Sequence, residues 1–252
     1  MLTKYFNFFY NIIKNIEDSI FGNIFIRNFL INIIGYRWNG WMLGFFADRA
    51  IHMVGRDETC LLGGIYDINS ILNVVSVVGK NGKIIVVEAN PKVCEDLVNQ
   101  TKQYANVKII NRAIWEKKGK MEFICSTMDK TQGYNRLDSP DLQEFPLHID
   151  GKPEKILVKT DTLPNIIKEL DIKKIDHINL TINGAEFQSL KGLAEIKKQN
   201  PALRVYINSE TPDPAVKVIN GLKEIGFKVF TSHLIRVVNK KIKLVRIYAC
   251  NS

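Results

Sequence analysis

The sequence predicts an α/β domain built on a mostly parallel sheet, with a helical arm in front of it. Three observations carry this. From about residue 55 onward, short apolar strand-like runs alternate with amphipathic helical segments. Parallel strands need such crossovers, and the crossover helices cover both faces of the sheet. The clearest run, Lys83–Glu88 (KIIVVE), is continuously apolar in its interior, as a strand buried on both faces is. The last two runs follow each other with no helix between them, so the sheet closes on an antiparallel pair.

The elements follow in order. Residues 1–54 concentrate Phe and hold Trp38 and Trp41. Their uncharged runs YFNFFYNII and NFLINIIGY are nine residues each, well short of the about 20 that a spanning helix needs. No compact apolar core followed by a small-residue cleavage site is present, so a secretory signal is not expected. Short amphipathic helices fit, packed on the main domain, on a second copy of the chain in a homo-oligomer, or on a membrane surface as a peripheral contact. Residues 55–252 then read as the main domain. ETCLLGG is a strand ending in glycines. Ile65–Val78 has helical apolar spacing, and GKNGK is a turn. Lys83–Glu88 is a strand. Pro91 suits the first turn of the helix Lys92–Tyr104. Val107–Asn111 and Lys120–Cys125 are strands. Residues 126–153 lack periodicity and read as an irregular insertion. Lys155–Thr160 is a strand and Asp161–Leu170 a short helix. Ile175–Thr181 is a buried strand, Ala185–Leu193 a helix, and Leu203–Asn208 a strand. Pro214–Ile225 is a helix that Gly226 ends. Phe227–Thr231 and Ile242–Ala249 pair across NKK.

Composition narrows the function. Apolar residues make up 46% and charged residues 24%, which excludes a disordered chain. Thirty-five basic residues against 26 acids give a net charge of +9. The stretch Ala215–Ser252 holds eight basic residues and one acid. A solvated Lys-rich face, an anionic ligand or a membrane surface would account for the excess. No nucleic-acid-binding signature accompanies it, so no nucleic acid partner is expected. Cys60, Cys94, Cys125 and Cys250 are far apart and offer no zinc spacing. They read as free thiols in a reducing, cytoplasmic setting, and no metal is expected.

Three places can carry chemistry. Gly63–Gly64 closes the first strand, and Glu88 ends the next strand 24 residues after Gly64. A glycine pair admits close backbone approach, and an acid at that place can accept both hydroxyls of a ribose. An exposed strand-end glutamate is the alternative. Second, Thr181–Ile182–Asn183–Gly184–Ala185–Glu186 breaks a buried strand with a polar turn and restarts as a helix. Either Asn183 and Glu186 face a site at the sheet's carboxyl edge, or the segment is a helix start with Glu186 completing a capping box. Third, Arg112–Ala113–Ile114 follows the third strand as a turn.

Over about residues 57–250 the chain resembles the FkbM-type S-adenosylmethionine-dependent methyltransferases. The residues that carry the resemblance are VGKNGKIIVVEANP, VKIINRAIWEKKGKMEF, VKTDTLPNII and INLTINGAEFQSLKGL, in the family's order and spacing. The resemblance implies a Rossmann-like class I methyltransferase sheet of seven strands. It implies S-adenosylmethionine as cofactor, held by Gly63, Gly64, Tyr66, Asp67, Glu88, Ala89, Asn90, Arg112 and Ala113. It also implies O-methylation of a sugar, glycan or small natural product, with Glu186 as base and Asn183 and Thr181 orienting the acceptor. Two motifs depart from the family. Leu61 stands where it has an acid and Asp67 where it has Gly. Thr181 and Asn183 replace its Asp and Glu. An impaired enzyme or a binding module on the same fold is therefore the alternative.

Overall fold

A computed structural model describes residues 54–65, 67–125, 135–142, 153–209, 212–231, 237–238, 241–242 and 245–250. The proposed arm and most of the 126–153 insertion lie outside them. The chain runs through β1 (Thr59–Gly63), α1 (Ile68–Val78), β2 (Lys83–Glu88), α2 (Pro91–Thr101), β3 (Val107–Asn111), β4 (Ala113–Ile114), β5 (Gly119–Cys125) and β6 (Arg136–Leu137). It continues through β7 (Glu154–Asp161), α3 (Leu163–Glu169), β8 (His177–Leu180), α4 (Glu186–Ser189), α5 (Leu193–Gln199), β9 (Arg204–Ser209) and α6 (Pro212–Glu224). The last strands are β10 (Lys228–Thr231), β11 (Val237–Val238), β12 (Lys241–Ile242) and β13 (Val245–Cys250).

The main sheet has seven strands in the order β3-β2-β1-β8-β9-β13-β10. β3, β2, β1, β8 and β9 are parallel, and β13 is antiparallel to both β9 and β10. Counted along the chain within this sheet, the order is 3-2-1-4-5-7-6, the arrangement of the class I methyltransferase fold. Strand order reverses between β1 and β8, where ligand crevices form in open α/β sheets. Alternation along the strands divides the core. Cys60, Leu62, Ile84 and Val86 face α1 and α2. Leu61, Ile85, Ile178, Leu180, Val205 and Ile207 face the layer of α3, α5 and α6. Each such side chain stabilises the fold by about 1.5–3 kcal/mol when fully buried.

Helix ends follow local chemistry. α1 begins at Ile68 rather than Ile65 because Asp67 is extended and caps it, its carboxylate accepting the Ser70 N–H at 3.0 Å. Asn90 caps α2 and Pro91 fills its first turn. Of the expected helix Ala185–Leu193, only Glu186–Ser189 is helical. Gly192 at φ 84° then caps α5, which runs beyond the expected range, and a Cβ at Gly192 would lie 2.4 Å from the Pro164 ring. β10 and β13 pair antiparallel as expected, and β11 and β12 pair as a small ribbon between them in sequence.

A second sheet, which periodicity did not separate from the first, has the order β4-β7-β5-β6. β4 leaves β3 after one residue and pairs with β7, so this sheet grows from the carboxyl edge of the main one. The 126–153 segment is thus not wholly irregular, since it supplies β6 as the edge strand. Ala113, Trp115, Phe123, Leu137, Val158 and Ala185 form the apolar cluster between β5–β7 and the crevice.

Candidate functional site

At the carboxyl edge, register brings the motifs together. Gly63 pairs with Val87 and Leu180, and Glu88 pairs with Asn111. Continuing bonds hold the strand exits: Gly64 N–H donates to Val87 O at 3.0 Å, Thr181 N–H to Gly63 O at 2.9 Å, and Arg112 N–H to Glu88 O at 2.9 Å. A cleft opens here. Gly64, Glu88, Ala89, Arg112, Ala113, Thr181 and Asn183 line it, with Ile114, Phe123, Asn135, Leu137 and Ile182. It encloses about 40 Å³, within about 480 Å³ of space that includes the open mouth.

Glu88 is 7% exposed. Its Oε1 accepts the Asn90 N–H at 2.7 Å. Burial pushes its carboxyl up to about 7, against the lowering effect of the Asn90 and Ala89 backbone bonds. Near neutral pH the group therefore sits between acceptor-only carboxylate and protonated donor. Asn111 shapes the loop it stands on. Its Nδ2 donates to Glu88 O at 3.1 Å and to Ala89 O at 2.9 Å, and contacts Cys94 Sγ at 3.3 Å. The Arg112 guanidinium pairs with Glu169 at 3.2 Å.

The Thr181–Glu186 turn forms the opposite wall. Asn183 adopts φ 51°, a left-handed conformation that Asn tolerates better than most residues. Its Nδ2 donates to Asn135 O at 2.7 Å, tying the turn to the segment leading into β6. Gly184 sits at φ 98°.

The structure thus brings Gly64, Glu88, Ala89, Arg112, Ala113, Thr181 and Asn183 to one cleft. The remaining expected residues are placed otherwise. Gly63 is beside the cleft, where a Cβ would meet Ile114 Cδ1 at 2.6 Å, so its smallness serves strand packing. Asn90 is the α2 cap. Asp67 spends its carboxylate on Ser70, with Oδ2 2.7 Å from the Ser70 hydroxyl. Tyr66 lies outside the described residues. Glu186 does not reach the cleft as a base would. It is 1% exposed, and its Oε2 accepts the Gly184 N–H at 2.9 Å. The capping box is not formed either, since α4 is capped at Ala185 without a side-chain bond. Leu61, aligned with the family's acid, is fully buried in the core. Sequence reasoning reached Asn111 as a strand end at this edge but missed Phe123, Asn135 and Leu137. These come from the second sheet and the segment leading into β6, whose position over the cleft no local pattern encodes.

The expected Arg112–Ala113–Ile114 turn is instead a one-residue link at Arg112 into strand β4. Glu88 with this Arg112–Ala113 backbone suits the adenosyl half of S-adenosylmethionine: a strand-end carboxyl for a ribose diol beside a backbone edge for a planar base. The other half finds no acid at Leu61, and Asp67 is already bonded.

The sequence matches no protein-family profile and no curated protein. Solved structures of similar chain path exist. Aeropyrum pernix fibrillarin with natively bound S-adenosyl-L-methionine is 13% identical, with a TM-score of 0.49, covering 84% of this chain and 74% of that one. Precorrin-6y C5,15-methyltransferase from Geobacter metallireducens GS-15 is 14% identical, with a TM-score of 0.45, covering 79% and 82%. A Clostridium thermocellum protein described as an rRNA-methylase is 13% identical, with a TM-score of 0.45, covering 86% and 96%. At these values the likeness carries no argument about chemistry, and the fold assignment stands on strand order and direction.

Proposed function

We propose that this chain is an S-adenosylmethionine-dependent O-methyltransferase of the FkbM type, acting on a hydroxyl of a sugar, glycan or small natural product. One observation carries the reading. Glu88, the Arg112–Ala113 link between β3 and β4 and the Thr181–Asn183 turn, separate features in the sequence, meet at the switch point of a 3-2-1-4-5-7-6 sheet.

The bound cofactor would supply an already activated methyl group, so the protein's work is placement. The Glu88 carboxylate would accept from the ribose hydroxyls, with Asn111 and Asn90 fixing its loop. Ala113 and Ile114 would flank the base. Thr181 offers a hydroxyl to orient a neutral acceptor, and Asn183, bonded through Nδ2 to Asn135 O, holds that wall in place, while Phe123 and Leu137 exclude water. We assign Glu186 to positioning, because its carboxylate braces the turn that presents Thr181 and Asn183.

A second reading is a binding module with impaired catalysis. Its support is the buried Leu61, the capped Asp67, and an interior of about 40 Å³, where ligand pockets usually hold about 300–1,000 Å³. Calorimetric titration with S-adenosylmethionine and S-adenosylhomocysteine separates the two. Binding by the wild type that Glu88→Ala weakens by about 10- to 100-fold, the loss of one or two charge-assisted bonds, supports the enzyme. Absence of binding at millimolar ligand rejects it.

A further inference from the structure

The edge of the sheet opposite the cleft carries a second concavity, a groove of about 1060 Å³. Thr59, Lys83 and Val107, the first residues of β1, β2 and β3, lie along it. Its walls are half-buried apolar side chains, among them Val75, Leu170 and Ile172. Its rim carries Lys80, Lys83, Lys108, Lys173 and Lys174, against a single acid, Asp171. Lys173 pairs with Asp171 and Lys174 with Asp176. The exposed Lys80, Lys83 and Lys108 form no ion pair among the described residues. Helix dipoles do not explain them, because neither α1 nor α2 carries a base in its last turn.

The groove also lies where residues 1–53 join the domain. Asp57 N–H donates to Val78 O at 2.8 Å, and Lys83 N–H donates to Glu58 O at 2.9 Å. The approach to β1 is thereby pinned to the Val78–Lys83 turn on the rim. Asp57–Thr59 thus run beside an apolar-walled, lysine-rimmed groove. Apolar side chains and lysines together are what an anionic bilayer surface attracts. A phosphate polymer is less well served. The lining offers no Arg and a single aromatic ring, Tyr104, where single-strand grooves use several.

We infer that this edge is a docking face for an anionic membrane, with lipid headgroup phosphates on Lys80, Lys83 and Lys108. The catalytic cleft then faces away from the bilayer. Among the described residues, no helix is long and apolar enough to cross a membrane.

The test is co-sedimentation of the full chain with two kinds of vesicle, phosphatidylcholine alone and phosphatidylcholine mixed with an equal part of phosphatidylserine. The wild type should pellet with the mixed vesicles, less so as salt rises. The triple variant Lys80→Glu, Lys83→Glu, Lys108→Glu should lose partitioning by on the order of 100-fold, since each lysine near such a surface contributes about 1 kcal/mol. Triple replacement by Arg should retain it. Lys118→Glu, Lys120→Glu, Lys159→Glu, the same charge change on the second sheet, should leave it nearly unchanged. Equal loss in both Glu triples would reduce the effect to net charge and overturn the proposal. So would wild-type partitioning in the groove variant, or binding of a single-stranded RNA oligonucleotide at the groove without vesicle binding. None of these outcomes depends on cofactor binding.

Discussion

At the residue scale, two buried titratable groups sit at opposite ends of the sheet. Glu88 is held at about 7 instead of the ordinary 4.5. The folded chain therefore keeps a proton that the unfolded chain releases. The cost is absent below pH 4.5, grows up to about pH 7 and is full above it, where it reaches about 3 kcal/mol. Glu88→Gln should raise the melting temperature above pH 7, with the gain fading toward pH 4.5, and should still impair cofactor binding. Differential scanning calorimetry across this range, paired with titration of S-adenosylhomocysteine, checks both halves. A ribose diol donates to the ionised form, so wild-type affinity should rise as pH passes 7, a rise the Gln variant should lack. His177 is the converse case. It is fully buried, neither ring nitrogen has a partner among the described residues, and burial together with the nearby Arg204 lowers it to about 3. The folded state refuses a proton that the unfolded chain accepts below about 6.5, so stability falls with pH from there toward 3. His177→Met removes both unpaired nitrogens and should stabilise by about 1–3 kcal/mol. The acid slope should flatten in chemical denaturation at several pH values.

Backbone geometry dominates at the scale of elements. Gly64 turns the chain out of β1 at φ 74°, and a Cβ there would lie 2.0 Å from Thr181 O. No side-chain movement relieves that contact, because its partner is backbone. Gly64→Ala should therefore push the β8 exit away and cost more than about 3 kcal/mol. Cofactor affinity should fall in whatever fraction remains folded, as urea titration and calorimetry would show. Asn183 differs. Its left-handed φ is a conformation that Gly adopts freely. Asn183→Gly should keep the melting temperature within a few degrees while removing the bond to Asn135. Asn183→Ala should pay for the strain as well.

The whole molecule has two ends with different chemistry. The carboxyl edge holds Glu88 and a nearly neutral, partly apolar cleft under the second sheet, and the amino edge holds the lysine groove. Hydrogen exchange should report them independently. S-adenosylhomocysteine should slow exchange at residues 63–65, 88–90, 111–114 and 181–184 and leave 79–83 and 104–108 unchanged. Protection confined to the second set would move the cofactor site to the wrong edge.

Much of this was readable in the chain. Lys83–Glu88 and Val107–Asn111 were assigned to the residue, because continuous apolar runs bounded by turns leave little choice. The antiparallel close was legible from two runs with no helix between them. Gly63, Glu88, Asn111 and Thr181 could be placed at one edge because every parallel strand ends on the same side. What the sequence could not specify depended on contacts between segments far apart. Periodicity marks β5 and β7 as strands but not the sheet they join. Pairing is decided by long-range hydrogen bonds, and these built a second sheet that brings Phe123, Asn135 and Leu137 over the cleft. Likewise the resemblance offered Asp67 to the cofactor, and the sequence left Glu186 between a site carboxylate and a capping-box partner. Only the fold showed them bonded to Ser70 and to the Gly184 N–H. A side chain's partners are set by where the backbone carries it, and that is a property of the packed chain.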